Sequence, residues 1–565
     1  MRDRLDTHAG TPVEPTAGGR PQRGPCPPHT GVAVLKKRTI AVVGGGAACT
    51  AFLAAYARRL SGDVAGASAD VIVFEPGKSF GPGIAYAEDA DTALLNRPYS
   101  AMSVDYGDPG QFRRWLYRQP SARESSDNNE AGENSAGSAP EARPTTRSHF
   151  VPRSLFGQYL ENVFRQSRED LRLLGSQVTL VPSAVIDLTV ETGATGGNRG
   201  NGGTESHVLT TADGDRFVAD EVVFAIGAIA PSDVYGLTGS AGFVAQPYPL
   251  VNSLSQVDRS AEVLVLGAGL TAIDAAVVLA DAGRERRITL ASRSGRIPDV
   301  RTDLGTGELP ELIAGARTLL AEGRVSLRSI HELLDSALRL GGTSIREALL
   351  PYTDAWSAPE LMRHRLENPL PGGLAQRCVG ALTPFYSELW RSLPDASRRL
   401  FLRDHYRTYN CLRNPMPVTN AHRLLGLHDG GRLAFAKGIT SVTQTAGGRF
   451  TATFADGRTE HYDAVVNAVG RTNNTAAASA SSLTSRLVRN GTFVSHPLGG
   501  IRVDPETNQV RGSAGAAFPR LYVIGDLASG EHFHVSSMEL VARQAAKVAG
   551  QLVPAPDRLL VGAVA

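Results

Sequence analysis

The chain has 565 residues, 42% hydrophobic and 20% charged, a composition ordinary for a globular protein and a length that one hydrophobic core does not fill. Its 58 Lys and Arg residues nearly balance 56 Asp and Glu, so neither a nucleic-acid backbone nor an anionic membrane is an expected partner. Four cysteines, Cys26, Cys49, Cys378 and Cys411, form no Cys-x-x-Cys pair. That argues against a zinc site, a disulfide scaffold or a dithiol redox centre, and for a reducing, cytoplasmic compartment.

Residues 1–36 are rich in Pro, Gly, Arg and Thr and hold no apolar core segment, the pattern of a disordered leader rather than a secretory signal. An apolar strand then runs into Gly44-Gly45-Gly46 and a helical stretch over 50–60. Gly44 permits the tight turn, and Gly46 lets the backbone approach a pyrophosphate held at the helix N-terminus. The third small position of this pattern is Cys49, a looser match. The next strand, from Asp70, ends in Glu75, where a carboxylate can accept both ribose hydroxyls of an adenosine and exclude a 2′-phosphate. This unit is expected to bind FAD.

Residues 119–147 are polar and predict a solvated loop, and 191–206 predict a flexible hairpin tip; neither is expected to carry chemistry. A second strand–turn–helix unit begins at Glu262 and runs through Gly267-Ala268-Gly269 and Thr271. Its next strand ends in Ser292 and Arg293, and a guanidinium flanked by hydroxyls holds a 2′-phosphate by charge-assisted hydrogen bonds. NADPH is therefore expected here in preference to NADH. From 310 to 424, Leu, Trp and Phe recur at helical spacing among many Arg residues, which predicts a helical insert.

The runs 220–227 and 463–470 are apolar strands ending in small residues, which return the chain to a dinucleotide fold. Near the C-terminus, Gly525-Asp526 precedes a helix predicted over 536–552. Asp526 could accept a ribityl hydroxyl there, with the helix N-terminus favouring negative charge beside the flavin ring. No stretch of about 18 apolar residues exists, so no membrane span is expected. The predicted class is α/β, two Rossmann-like dinucleotide-binding domains with an inserted helical region. The expected boundaries are a leader at 1–36, an FAD-binding part at 37–250, an NADPH-binding domain at 251–424 and a second FAD-binding part at 425–565.

Beyond the two turns, the chain resembles the bacterial FAD-NAD(P)-binding family of two-dinucleotide-binding-domain flavoproteins. The matching residues include Gly81-Pro82-Gly83, Leu94-Leu95-Asn96-Arg97-Pro98, Met102-Ser103, Asp108-Pro109, Phe112, Trp115, Pro152-Arg153, Phe156-Gly157 and Tyr159. They continue through Tyr248-Pro249, Asp274, Ser292-Arg293, Trp390, Asn467 and Gly525-Asp526, so the likeness spans about 38 to 550. That family is similar to the class B and N-hydroxylating flavin monooxygenases, and some members look like enzymes that convert L-aspartate to nitrosuccinate in natural-product pathways such as antibiotic biosynthesis. The resemblance implies N-oxidation of a small amine or amino acid with O2, through a flavin C4a-hydroperoxide formed after NADPH reduction, in a chain consistent with a homo-oligomer.

An aspartate substrate would need two cationic anchors. Candidates are Arg97, Arg153, Arg301 and Arg413, with Asn96, Arg97 and Arg301 taken as the catalytic set. Met102 and Trp115 are expected beside the isoalloxazine ring, and Glu531, His532 and His534 could face the flavin, although a satisfied structural His is the commoner case. Two other readings stay open at this stage. One is a flavin oxidoreductase without oxygen insertion, and the other a non-catalytic redox-sensing dinucleotide binder.

Overall fold

A computed structural model describes residues 37–62, 68–77, 79–119, 150–192, 205–227, 231–283, 286–302, 308–352, 356–470, 482–513, 515 and 517–553. The expected leader and the centre of the polar 119–147 loop lie outside the described residues, as does the hairpin tip between Val185–Thr192 and Glu205–Thr211.

The first nucleotide unit is strand β1 (Thr39–Val43), helix α1 (Ala47–Leu60) and strand β2 (Asp70–Phe74). β1 pairs in parallel with β2 on one side and with Glu221–Phe224 on the other. The sheet has six strands in the order Gln509–Arg511, Ala517–Val523, Glu221–Phe224, β1, β2, Val178–Val181. Period-two alternation splits its apolar residues between two cores. Ile40, Val42, Val71 and Val73 pack with Phe52 and Phe156 on one face, while Ala41, Val43, Phe74 and Phe224 pack with Leu487 and Phe493 on the other.

The second unit repeats the plan with β3 (Glu262–Leu266), α2 (Leu270–Ala282) and β4 (Arg287–Ser292). Its all-parallel sheet runs Leu433–Lys437, β4, β3, Ala464–Asn467, Phe243–Val244. Here the expected boundaries move. Strands at 433–437 and 464–467 belong to this second sheet, so the return to the first domain at 425 is premature; it comes after the last of these strands instead. The short strand at 243–244 likewise enters the second sheet ahead of position 251. Hydropathy marks each run as a buried strand but carries no information about which parallel sheet it enters. Between Pro310 and Asp429 the described residues carry helices and no strand, as the periodicity predicts. The architecture is the predicted one: α/β, two dinucleotide-binding units and a helical insert.

The two units are joined by a buried polar contact. Arg153 reaches Asp274 on α2 at 3.0 Å, and the Tyr248 hydroxyl donates to the same carboxylate at 2.7 Å. Asp274 is 2% exposed, so removing Arg153 would strand a buried charge at a cost of roughly 3–5 kcal/mol.

Candidate functional site

The two glycine turns are built alike. Gly44 has φ +103° and Gly267 φ +116°, conformations that disfavour any side chain. A Cβ on Gly44 would lie 2.5 Å from the Ala225 carbonyl oxygen, and one on Gly267 2.4 Å from that of Ala468. The Gly44 amide donates to Phe74 O at 2.9 Å and the Gly267 amide to Ala291 O at 2.7 Å, so each turn is locked to the strand beside it. Gly46 and Gly269 are the N-caps of α1 and α2, and neither helix start is closed by a capping side chain. Open amides at a helix N-terminus are the chemistry a pyrophosphate needs. In front of Gly269 a Cβ would meet nothing within 4 Å.

The two units part company at the residues just beyond β2 and β4. Glu75 accepts from the Gly45 amide at 2.8 Å and from the Gly77 amide at 3.2 Å, which fixes its carboxylate against the first turn. In the second unit the Ser292 hydroxyl accepts from the Gly295 amide at 2.9 Å, and Arg293 is exposed with no ion pair among the described residues. A neighbour that the sequence did not single out joins it. Arg407 from the helical insert has its pKa lowered by burial and by the charges of Arg293 and Arg296. Arg296 itself is engaged with Thr408 Oγ1 at 2.9 Å and Tyr352 O at 3.1 Å.

Near the C-terminus, the Gly525 amide donates to Gln544 Oε1 at 2.7 Å, which ties the Gly-Asp turn to helix α4 (Met538–Leu552). Asp526 lies close enough to Tyr406 to raise its hydroxyl pKa, after the larger effect of burial. Met102 is 4% exposed inside the core that holds Phe112 and Phe156. Trp115 is partly buried against the same core, its ring 6.0 Å from Phe112 and 5.8 Å from Tyr159.

Of the four arginines proposed as anchors, the structure brings three together. The segment after β4 is held in the helical insert by a parallel bridge between Val300 and Met416. Around it, the Met416 amide donates to Asp299 O at 2.7 Å and the Arg301 amide to Met416 O at 2.8 Å. Arg365, fully buried, pairs with Asp299 at 3.0 Å and fixes that strand-like run. Arg301 is thereby set beside Arg413, the last residue of helix α3 (Tyr406–Arg413), and beside Arg97. Arg301 Nε donates to the Asn96 carbonyl at 2.9 Å, so Asn96 contributes its backbone to this arrangement.

The three guanidiniums are unequally compensated: Arg97 and Arg301 are lowered by burial and mutual repulsion, whereas Tyr386, Tyr409 and Glu539 raise Arg413. Arg97 contacts Glu539 at 3.4 Å, the single carboxylate paired with any of them among the described residues. Arg413 has a hydrogen bond to Thr383 Oγ1 at 3.4 Å and lies 5.9 Å over the Tyr386 ring. Burial and the charges of Arg97 and Arg413 push Arg301 down to about 9, the signature of a cation lacking its counter-ion. Arg153 stands apart, consumed by its pair with Asp274.

The histidines separate in the same way. His532 is satisfied, with Nδ1 3.0 Å from Ser387 Oγ and Nε2 3.2 Å from Asn508 Oδ1, while Glu531 sits 3.6 Å from His496. His534 is 5% exposed, and its Nε2 has no hydrogen-bond partner among the described residues. The described cysteines, Cys49, Cys378 and Cys411, are free and buried, and burial raises each thiol, Cys378 to about 11 and Cys411 to about 12. Such thiols are inert. No cluster of metal-ligating side chains and no helix long and apolar enough to cross a membrane occurs among the described residues. A surface groove of about 320 Å³ beside Arg58, Asp105 and Tyr106 lies toward the far end of α1 from its glycine turn and plays no part in these sites.

The fold is built on two Rossmann-like strand–turn–helix units whose helix starts carry no capping side chain. Residues 41–229 match the model of a family described as FAD-NAD(P)-binding. No curated protein matches the sequence. Among solved structures, L-lysine 6-monooxygenase from Pseudomonas syringae is similar with a TM-score of 0.55 at 15% identity, over 91% of this chain and 99% of that one. The cadaverine monooxygenase of desferrioxamine biosynthesis from Erwinia amylovora, solved bound to FAD, gives a TM-score of 0.53 at 12% identity, over 91% and 94%. The ornithine N-hydroxylase of Kutzneria sp. 744, solved with reduced FAD, NADP+ and L-ornithine, gives 0.52 at 13%, over 91% and 99%. At these identities the likeness is one of fold.

Proposed function

We propose that this chain is an FAD- and NADPH-dependent monooxygenase that N-oxidises a small acidic amino acid, with L-aspartate, taken to nitrosuccinate, as the specific reading. The observation that carries it is the cluster of Arg97, Arg301 and Arg413, three guanidiniums with one paired carboxylate among the described residues. Such an excess of positive charge fits a ligand with two carboxylates, each held in bidentate fashion. The family match and the structural neighbours, each named for oxidation of an amine or amino acid, support the reaction class.

In this reading FAD lies along the first turn, with the Gly44–Gly46 amides and the α1 N-terminus at its pyrophosphate and Glu75 at its ribose. Gly525 and Asp526 approach the flavin end. NADPH lies along the second, at Gly267, Gly269 and Thr271, with Ser292, Arg293 and Arg407 at the 2′-phosphate. Bound flavin, reduced by NADPH, supplies the activated oxygen. The protein's part is to fix the substrate: Arg301 and Arg413 would hold one carboxylate while Arg97, drawn partly off Glu539, holds the other. The same positive field disfavours an ammonium and so keeps the substrate nitrogen as a nucleophilic amine.

The test is oxygen uptake by flavin-loaded protein with NADPH in the presence of L-aspartate, L-glutamate, L-ornithine and L-lysine, with products read by mass spectrometry. An N-oxidised product from an acidic amino acid is expected. Oxidation of the basic amino acids alone would overturn the diacid assignment, and peroxide with no N-oxidised product would favour an oxidoreductase without oxygen insertion.

A further inference from the structure

Residues 532–534 form a tight three-residue turn. Phe533 has φ 67° and ψ −78°, and the His534 amide donates to His532 O at 2.9 Å, so the chain reverses at a non-glycine residue in a sparsely populated conformation. Phe533 is clamped there by aromatic contacts, its ring centroid 4.7 Å from Trp390 and 5.1 Å from Tyr409. The turn sends the two flanking imidazoles into different surroundings. His532 finds two partners, while His534 is delivered into the aromatic wall of the arginine cluster, its ring 6.0 Å from Tyr386 and 6.1 Å from Tyr409.

One polar atom in this wall, His534 Nε2, is shut off from solvent and unpartnered among the described residues. Buried polar groups in folded proteins are nearly always satisfied, so it calls for a ligand atom. The neighbouring Tyr409 hydroxyl interacts with the Tyr386 oxygen, and spending its proton there leaves its own oxygen as an acceptor. Tyr386 in turn donates its hydroxyl to Val379 O at 2.6 Å. Burial first, then the charges of Arg413 and Arg97, hold the His534 imidazole down to about 3, so it is neutral at physiological pH. A neutral imidazole protonated on Nδ1 offers a lone pair at Nε2, and a tyrosine hydroxyl offers another.

We infer that His534 Nε2 and the Tyr409 hydroxyl accept the N–H groups of the substrate's amine and so select a ligand that carries nitrogen between its two acid groups. This rests on the diacid reading above and adds to it the part of the site that reads the amine. Uncharged acceptors suit the chemistry. A carboxylate in the same place would strongly stabilise the ammonium and take the nucleophilic lone pair out of play, whereas a neutral acceptor orients the amine and favours its protonation far less.

The experiment compares L-aspartate with succinate, the same diacid lacking the amine, by titration calorimetry on FAD-loaded protein. Wild-type protein is expected to bind both, aspartate more tightly. His534→Phe, which preserves an aromatic ring in an aromatic wall, is expected to weaken aspartate by about tenfold and to leave succinate unmoved. His534→Gln, which restores an acceptor oxygen, should recover most of the aspartate affinity, and Tyr409→Phe should show a smaller loss of the same selectivity. FAD content and the anaerobic rate of reduction by NADPH check that each variant is folded. Equal weakening of both diacids, no weakening of either, or a Gln variant as impaired as the Phe variant would overturn the inference and leave the diacid reading standing. Failure of the wild-type chain to bind either diacid would bring down the diacid reading and this inference with it.

Discussion

The two glycine turns are built alike and differ in the residue that follows the next strand. Both place a positive-φ glycine under a carbonyl, Ala225 O for Gly44 and Ala468 O for Gly267, and both leave the amides of a helix start open. Beyond one lies Glu75, whose carboxylate is bonded to the turn itself, and beyond the other Arg293, exposed and without an ion pair among the described residues. On the proposed reading the backbone would recognise what two nucleotides share, and a side chain beyond the next strand what separates them.

The sharpest way to break this comparison is to add one methyl group to each turn. Gly44→Ala is expected to yield protein without flavin colour. Gly267→Ala should keep its FAD yet lose reduction by NADPH by about a hundredfold or more, since an Ala there is strained and meets a backbone oxygen. Loss of flavin from the second variant, read by visible absorbance, would show that the turns do not divide the labour. The arginine cluster, built from neither turn, should behave independently of both. Arg301→Met is expected to raise the KM for the acidic amino acid by about a hundredfold while leaving the anaerobic reduction rate near wild type. A parallel fall in the reduction rate would place Arg301 at the nicotinamide cofactor instead.

A smaller effect is expected from Arg293→Ala, which should lower the preference for NADPH over NADH by about tenfold by raising the KM for NADPH alone. Equal changes for the two cofactors would sink the 2′-phosphate assignment. A separate effect concerns stability. Burial holds His532 and His534 at about 3, below the ordinary 6.5, so the unfolded chain binds protons there that the folded chain does not. Stability is therefore fully present above pH 6.5 and is lost as pH falls toward 3, at roughly 1.4 kcal/mol per pH unit for each histidine. Urea titrations at pH 7, 6 and 5 measure that slope, and His534→Phe should reduce it.

The features legible in the sequence are those written within a few residues: strand, glycine, helix start, the acid or base that ends the next strand, and the helical period of 310–424. What was hidden depends on who meets whom. Arg153 and Arg301 look alike in sequence, each beside a turn, yet one is spent on Asp274 while the other is carried to Arg97 and Arg413 by the Val300–Met416 bridge. His532 and His534 are two positions apart, and the reversal at Phe533 gives one two hydrogen-bond partners and leaves the other's Nε2 without one among the described residues. The near-complete burial of Met102 follows from packing density, which no motif records. Strand membership at 433–467 escapes for the same reason, because both sheets accept the same apolar run.

Helix α3 adds a thermodynamic obligation. Within its eight residues Tyr406 lies near Asp526, Arg407 near Arg293, and Tyr409 and Arg413 in the aromatic and cationic wall. A rigid rod of two turns cannot move one of these groups without moving the others. If NADPH engages Arg407, the energy that settles the helix at the nucleotide end also settles the residues facing the amino acid, and the two affinities become linked. Linkage is reciprocal: the factor by which bound NADP+ tightens the amino acid must equal the factor by which the amino acid tightens NADP+.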